Sequence, residues 1–265
     1  MSHYTLDITY LNGPTALLEI GGLRFITDPT FDPSDTTYPL AGYSLHKTGV
    51  APIDSSALGE IDAVLLSHDH HSDNLDKAGR MLLSRVKRTF TTREGAARLG
   101  GQAEGLEPWD RVELQSKSGH ALRITATPAR HGPEGGDRGP VIGFVLELAD
   151  SKSQSIYVSG DTVWFDGVAE VSRRFSVGIA ILFMGAAKVS VAGPDHLTFT
   201  AKEAVEAARA FPDAKIIPIH FEGWEHLTES RTEISSAFSA AGLSDRLVWP
   251  TAGQRMQLGL GEQKR

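Results

Sequence analysis

Short apolar runs separated by glycine, proline and acidic residues make up most of the chain. Runs rich in β-branched and aromatic residues between such turn residues are typical of strands, whereas apolar positions that recur every three to four residues indicate helices. The first pattern predicts strands at residues 8–11, 16–20, 24–27, 63–67, 123–127, 141–148, 155–158, 179–183 and 215–219. The second pattern predicts helices at about 75–85, 93–99, 200–210 and 228–241. Strands that open the chain and then alternate with helices indicate layered sheets covered by helices.

Side chains that can bind metal ions lie directly after four of these predicted strands. They are His68, His131, Asp161 and His220, each in the loop that follows its strand. Loops at strand ends, held by a rigid sheet, are where binding and catalytic groups usually lie. We therefore expect these side chains to converge on one site. Asp28 also follows a strand, and it either orients a histidine ligand or opens a proline turn.

The densest concentration of such side chains is residues 67–76, Ser-His-Asp-His-His-Ser-Asp-Asn-Leu-Asp. This segment holds three of the ten histidines and three acidic residues. Crowded imidazoles and carboxylates repel one another and are costly to desolvate unless they converge on a cation. The alternative is a polar loop in which Asp73 or Asn74 caps the following helix. Because a cap needs one such residue and not three histidines, the pattern favours a metal site.

Composition narrows the choice of metal ligands and of partners. With 265 residues, 40% hydrophobic and 22% charged, the sequence is typical of one globular domain over residues 1–265. The chain has no cysteine, so nitrogen and oxygen atoms must hold any metal, and this donor set suits zinc, manganese or iron. A net charge of -7 disfavours a nucleic-acid partner, because nucleic-acid binders usually carry basic surfaces.

The hydropathy pattern does not resemble that of a membrane protein. No run approaches the roughly 20 apolar residues of a membrane helix, and the first residues lack the basic patch and apolar stretch of a secretory signal. We therefore expect a cytoplasmic protein without membrane insertion. The sequence leaves the oligomeric state open, and a homo-oligomer is compatible with it.

Four segments, taken in chain order, resemble the motifs of the metallo-β-lactamase superfamily. They are the cluster at 67–76, Thr127-Pro-Ala-Arg-His131, Tyr157-Val-Ser-Gly-Asp-Thr162 and Pro218-Ile-His220. Within the superfamily they are most similar to the branch of ascorbate-6-phosphate lactonases and N-acylphosphatidylethanolamine phospholipase D. The resemblance implies a four-layer αββα sandwich with one or two divalent metal ions at one edge of its two sheets. Zinc is the metal we expect first, with manganese or iron as alternatives.

The resemblance also implies roles for individual residues. Histidines of the first cluster and His131 would hold one metal, Asp73 and His220 would hold the other, and Asp161 would bridge the two. This division agrees with the chemistry, because imidazoles are neutral donors and a bridging carboxylate offsets positive charge between two cations.

The opening motif departs from the family pattern His-x-His-x-Asp-His. When Asp73 is aligned with the acid of that motif, His71 is the second histidine and Asn74 takes the place of the last one. We favour His68 and His71 as ligands, with His70 as a substitute or an extra donor. Asn74 predicts a weaker second metal site, and its carbonyl oxygen would favour a harder cation such as manganese.

Together these residues indicate a metal-dependent hydrolase that uses a metal-activated water on a small-molecule ester, lactone or phosphodiester. Asp73 would orient the water. His196 would either face the substrate as a catalytic group, or cap or precede the helix that begins near residue 200. We expect His226 to be a surface or packing residue. The altered opening motif leaves open a non-catalytic metal-binding protein that keeps the fold with a degraded site. A di-iron oxidoreductase is a further alternative, disfavoured because the chain has no room for the usual flavin domain.

Overall fold

The computed structural model describes residues 4–136, 138–149 and 151–263 and contains two mixed β-sheets stacked face to face. The strands are β1 Thr5–Asn12, β2 Thr15–Ile20, β3 Leu23–Thr27, β4 Thr37–Leu40, β5 Tyr43–His46, β6 Ala63–Leu65, β7 Thr89–Thr92, β8 Ala103–Leu106, β9 Arg111–Gln115, β10 Ala121–Pro128, β11 Ile142–Leu148, β12 Ser155–Val158, β13 Val177–Phe183, β14 Lys215–Ile219 and β15 Arg255–Gly259. The α-helices are α1 Lys77–Leu83, α2 Arg93–Leu99, α3 Asp166–Arg174, α4 Ala201–Ala210 and α5 Arg231–Ala240. Within these described ranges, no helix has the length and apolar composition needed to cross a membrane.

Each sheet combines an antiparallel part with a parallel part. The first sheet has the strand order β15-β1-β2-β3-β6-β7-β8 and is parallel from β3 onward. The second sheet has the order β14-β13-β12-β11-β10-β9 and is parallel among β12, β13 and β14. β4 and β5 form a separate hairpin. Since parallel strands present their carboxyl ends at the same edge, the loops that leave them lie close together.

Alternation along the strands assigns the two faces of each sheet to different layers. In β13, Ile179 and Ile181 belong to the core between the sheets, whereas Ala180 and Leu182 pack outward. Helices α3, α4 and α5 cover that outer face, and α1 covers the outer face of the first sheet. The predicted four-layer αββα sandwich is therefore confirmed.

Every predicted strand and helix is present, with ends shifted by a few residues. The structure adds elements that the sequence pattern did not predict, namely β4, β5, β7, β8, β9, β15 and α3. Among these, β8, β9 and β15 lie at sheet edges and are only partly buried. Because edge strands bury little apolar surface, their hydrophobic signal is weak.

The start of α1 decides one alternative for the histidine-rich loop. Asp76 caps this helix, because its carboxylate accepts a hydrogen bond from the Gly79 backbone N–H at 2.8 Å. The alternative in which Asp73 or Asn74 caps the helix is therefore wrong. Both residues lie in the preceding loop with buried side chains.

Candidate metal centre

Loops from both sheets bring donor side chains to one edge of the sandwich. His68 and Asp73 lie in the loop after β6 of the first sheet, whereas His131, Asp161 and His220 follow β10, β12 and β14 of the second. All five residues are buried. The strand ends that the sequence indicated therefore meet, and they meet between the two sheets.

Three imidazoles form what we call the first group, His68, His71 and His131. His71 Nδ1 lies 3.0 Å from His68 Nε2 and 3.1 Å from His131 Nε2. Ring nitrogens at this spacing can face a single cation. Asp161 adjoins the group, with its Oδ2 atom 3.5 Å from His131 Nε2.

The far side of two of these rings is held by a neighbouring oxygen. His131 Nδ1–H donates to the Leu197 carbonyl at 2.9 Å, and His68 Nδ1 lies 2.8 Å from Ser67 Oγ. Such partners fix the orientation and tautomer of metal-binding histidines. In both rings, Nε2 is therefore the nitrogen that faces the group.

Burial keeps these imidazoles neutral. It lowers the pKa of His71 to about 2 and the pKa of His131 to about 4, and it lowers the pKa of His68 well below its usual value. The neutral ring is the form that binds a metal ion. The first group is therefore ready to accept a cation at neutral pH without losing protons.

Asp69 and His70, the remaining residues of the opening motif, each have a hydrogen-bond partner outside the first group. The Asp69 carboxylate accepts hydrogen bonds from the Arg98 guanidinium, with Arg98 Nε at 2.9 Å from Oδ2. His70 Nε2–H donates to the backbone carbonyl of Arg138 at 2.9 Å, although its ring still lies near His68 and His71. The structure thus places His68 and His71 beside His131, as the sequence favoured. The assignment of these histidines as metal ligands stays a prediction.

Two carboxylates and one imidazole form what we call the second group, Asp73, Asp161 and His220. His220 Nε2 lies 3.6 Å from Asp73 Oδ2 and 3.6 Å from Asp161 Oδ1. Because Asp161 Oδ2 faces His131 of the first group, Asp161 lies between the two groups. This is the position that the bridging role requires.

The second group contains buried polar atoms that the rest of the described protein leaves without hydrogen bonds. Among the described residues, both oxygens of Asp161 and both ring nitrogens of His220 have no hydrogen-bond partner. Burial raises the pKa of Asp161 to about 7. Buried polar groups are normally paired, since leaving them unpaired costs free energy. A divalent cation would satisfy these atoms, so the donor set fits a metal centre.

His220 is also held in a strained backbone conformation. Its φ angle is 54°, in the left-handed region that few side chains other than glycine favour. Its N–H donates to the Gly13 carbonyl at 2.7 Å, which ties the end of β14 to the loop between β1 and β2 of the opposite sheet. Strain of this kind is typical of functional sites.

Asp28 and Asn74 lie beneath the two groups. Asp28 Oδ1 accepts the Ser67 backbone N–H at 2.6 Å, and Asp28 Oδ2 lies 3.4 Å from Asn74 Nδ2. Burial raises the pKa of Asp28 to about 8. Asp28 therefore supports His68 through Ser67 and does not contact a histidine ring directly. Asn74 Oδ1 has no hydrogen-bond partner among the described residues, so this oxygen remains a candidate donor.

His226 belongs to the site, and the prediction that it is a surface or packing residue is wrong. Its Nε2–H donates to Asp73 Oδ2 at 3.0 Å, and its side chain is 10% exposed. The preceding segment is fixed by backbone hydrogen bonds from Glu225 N to His46 O and from Thr48 N to Gly223 O. No strand precedes His226 directly, so the pattern of strand ends carried no signal for it.

His196 precedes α4 and contacts Glu203, with His196 Nε2 at 2.8 Å from Glu203 Oε2. Thr200 is the cap of this helix, in a capping box with Glu203. The nearby Glu203 carboxylate raises the pKa of His196. His196 therefore precedes the helix and does not cap it, and its catalytic role stays a prediction.

A small pocket lies beside the donors and is lined by Asp73 of the second group and by His71 and His131 of the first. The complete lining is Tyr43, Leu45, His71, Asp73, His131, Arg138, Ala187, Val189, Leu197 and His226. Donors of both groups therefore border the same pocket.

The family model for the beta-lactamase superfamily domain matches residues 23–221. The chain belongs to the metallo-β-lactamase superfamily. The matched segment contains every residue of the first and second groups, whereas His226 lies beyond it. All the donors of the two groups therefore lie within the segment that the family model matches, whereas His226, which lines the pocket, lies outside it.

Relatives of this chain are similar to it over nearly its whole length. The UPF0173 metal-dependent hydrolase of Pelotomaculum thermopropionicum is 27% identical over 96% of this chain and 100% of its own. The UPF0173 protein YddR of Bacillus subtilis is 25% identical over 94% of this chain and 98% of its own. The crystal structure of isothiocyanate hydrolase from Delia radicum gut bacteria is 25% identical, with a TM-score of 0.80 over 96% of this chain and 99% of that one.

Proposed function

We propose that the chain is a metal-dependent hydrolase that uses a metal-activated water to cleave a small ester, lactone or phosphodiester. The observation that carries this proposal is the convergence of two groups of His and Asp side chains, with Asp161 between them, beside one pocket. The relatives named as metal-dependent hydrolases support the reaction class.

The donors divide between two cations in this proposal. His68, His71 and His131 hold the first, Asp73 and His220 hold the second, and Asp161 bridges them. Zinc fits this nitrogen-rich set best, with manganese or iron as alternatives. A bound divalent cation lowers the pKa of a coordinated water towards about 7 and polarises the bond to be cleaved.

Asp73 and His226 are the groups that handle the proton of the attacking water. Asp73 lines the pocket, and its carboxylate can orient a water molecule and accept its proton. His226 Nε2–H donates to Asp73 Oδ2, and His226 also lines the pocket. His226 can therefore give its Nε2 proton to the leaving group and regain a proton from the protonated Asp73 carboxyl, which leaves both groups as they began.

The bond that is cleaved has two candidate classes. Similarity of the sequence motifs to the lactonase and phospholipase D branch supports a lactone or phosphodiester. The likeness to an isothiocyanate hydrolase over nearly the whole chain favours a second candidate, the electrophilic carbon of an isothiocyanate. Water attacks the central carbon of that group much as it attacks a carbonyl carbon.

The test combines elemental analysis with turnover of the purified protein on lactone, ester, phosphodiester and isothiocyanate panels. We expect stoichiometric transition metal, and we expect Asp73→Asn to lower kcat/KM by about 10²- to 10⁴-fold, the usual share of general acid-base catalysis. Asp166→Asn, at an exposed position on α3, is the matched control and should leave kcat/KM unchanged.

Two results would contradict the proposal. Protein that holds no transition metal and stays inert after metal is added back would exclude a metal-dependent hydrolase. Protein that holds metal but turns over no member of any panel, with Asp73→Asn indistinguishable from wild type, would favour the non-catalytic alternative.

A further inference from the structure

Arg138 is the cationic side chain that lines the pocket, and the reaction proposed above gives it no role. Its Nη2 atom donates to Tyr43 Oη at 3.3 Å, and its guanidinium lies 5.9 Å from the centre of the Tyr43 ring. Within the described part of the chain, no carboxylate lies within 4.0 Å of the Arg138 guanidinium. A half-buried arginine usually has such a partner, because its planar fork matches an oxyanion.

The backbone of Arg138 is fixed to the metal centre. Arg138 N–H donates to the His131 carbonyl at 2.8 Å, and the Arg138 carbonyl accepts the hydrogen bond from His70 Nε2–H at 2.9 Å. Both contacts are to histidine-bearing loops of the site. The fold therefore fixes the backbone of Arg138 next to the loops that carry His70 and His131.

The charges around the pocket also favour an anion. Among the lining residues, Asp73 supplies the carboxylate, and His226 and His220 already face it. Arg138 is half-buried, and its positive charge faces a pocket in which Asp73 already has imidazole partners. A cation without a carboxylate partner attracts an anionic ligand.

Tyr43 is a second hydrogen-bond donor beside the Arg138 guanidinium. It lies on β5 and lines the pocket, and its hydroxyl accepts a hydrogen bond from the Arg138 guanidinium. A phenol and a guanidinium side by side can both donate hydrogen bonds to one oxyanion. Val189 and Leu197 give the adjoining wall an apolar surface.

We propose that Arg138 and Tyr43 form an anion subsite that binds a carboxylate or phosphate substituent of the substrate. The substituent binds at the pocket wall while the scissile bond faces Asp73 and the first group. The substrate is then a small molecule with an oxyanion at one end and a hydrolysable bond at the other. This inference deepens the proposed hydrolase function and rests on it.

The experiment compares metal-loaded wild type with Arg138→Gln, Arg138→Lys and Tyr43→Phe. The substrates are lactones that share one ring and differ in one substituent, which is a neutral hydroxymethyl, a carboxylate or a phosphate ester. A parallel calorimetric titration uses inorganic phosphate and acetate as probes. Arg209→Gln, which removes the same charge from the exposed side of α4, is the matched control.

We expect Arg138→Gln to lower kcat/KM for the anionic lactones by about 10- to 100-fold, the usual effect of removing a charge-assisted pair, while the neutral lactone changes little. Arg138→Lys should recover part of this loss, since lysine restores the charge without the fork. Tyr43→Phe should give a smaller loss of the same kind. The carboxylate and phosphate arms show which oxyanion the subsite prefers.

The outcomes separate the subsite from the reaction. Equal losses for the neutral and anionic lactones in Arg138→Gln, or phosphate and acetate binding unchanged by that substitution, would overturn the subsite and leave the hydrolase intact. If no lactone is hydrolysed but phosphate or acetate binding still weakens in Arg138→Gln and not in Arg209→Gln, the subsite stands and the hydrolase proposal fails on these substrates. Melting temperatures of all variants should match wild type, because the backbone hydrogen bonds of Arg138 remain.

Discussion

At the scale of single residues, the orientation of each histidine in the site depends on the group that contacts its other ring nitrogen. Leu197 O orients His131, and Ser67 links His68 to the buried Asp28. A ring fixed in this way presents one nitrogen and loses little entropy when it binds. His70 differs from its neighbour His71, since His71 Nδ1 lies 3.1 Å from His131 Nε2, whereas His70 Nε2 donates to the Arg138 carbonyl.

This difference predicts unequal effects of two adjacent substitutions. We expect His71→Gln to weaken metal binding by at least about 10- to 100-fold, because His71 Nδ1 is central to the first group. His70→Gln should have a much smaller effect, and it serves as the control one residue away. Competition with a chromophoric chelator measures both affinities. Equal losses of metal affinity in the two variants would show that His70 contributes as much to metal binding as His71.

The pair of His196 and Glu203 gives a pH-dependent prediction. Because the folded pKa of His196 is raised, its contribution to stability is present below about 6.5 and is lost as pH rises through the folded value. Although burial opposes it, contact with His196 and Thr200 lowers the pKa of Glu203, so that contribution is present above about 4.3 and is lost at lower pH. The pair should therefore stabilise the fold most between these two values.

A double-mutant cycle of His196→Gln and Glu203→Gln, followed by urea unfolding, measures this coupling. We expect a favourable coupling at about pH 5.5 and almost none at about pH 9, where the imidazole is neutral. A coupling that is the same at both pH values would mean that charge does not contribute to the contact. Activity measured on His196→Gln in the same series tests its predicted catalytic role.

At the scale of elements, the loop after β6 is held at its far end by a buried ion pair. Lys47 Nζ lies 2.8 Å from Asp76 Oδ2, and both side chains are fully buried. Asp76 also caps α1 and accepts the Asp32 backbone N–H. The segment that carries Asp73 therefore runs between β6 and a helix start that cannot move easily.

Lys47→Met should destabilise the protein by about 3–5 kcal/mol, because it leaves the buried charge of Asp76 without its cation. Lys87→Met is the control, since Lys87 is exposed and pairs with Asp62 at the surface, where such pairs contribute about 1 kcal/mol or less. Denaturant unfolding measures both. Similar small losses in the two variants would contradict the structural role of the buried pair.

The individual strands and helices show how much of this fold could be predicted from the sequence. Strands with continuous apolar residues, such as β13, were predicted because both their faces are buried. β7 was missed although it is buried, because its sequence Thr-Phe-Thr-Thr has little apolar character. α3 was missed because it has few apolar positions.

The residues of the site also fall into those that the sequence could predict and those that it could not. His68, His131, Asp161 and His220 could be predicted because each follows a strand, and a sheet fixes where its strands end. His226, Arg138 and Tyr43 could not, because tertiary contacts determine the path of their segments. Residues 46–49 pair with residues 223–225, and no local pattern encodes that pairing.

At the scale of the whole molecule, the metal centre joins the two sheets. Its donors come from loops of both, so a bound cation stabilises the folded state and not the unfolded chain. Metal removal with a chelator should lower the melting temperature, and adding metal back should restore it. A metal concentration 100-fold above Kd contributes about 2.7 kcal/mol, which corresponds to roughly 5–11 °C for a chain of this size.

Asp161→Asn is the informative variant for this experiment, because the amide is close in shape but has no negative charge to share between cations. We expect its melting temperature to change much less on chelation than that of wild type. A wild-type melting temperature that does not respond to chelation would contradict a structural contribution of the metal.

The hydrogen bond from His220 N–H to the Gly13 carbonyl has a consequence for how the protein is made. It joins a residue near the start of the chain to one that leaves the ribosome late, and β15 must then pair with β1 to complete the first sheet. Pairings so distant in sequence form slowly. A nascent chain therefore exposes its histidine-rich loop before His220 has been synthesised. We expect the complete set of donors to form only after β14 has joined the second sheet, so that binding of a cation by all of them follows that step.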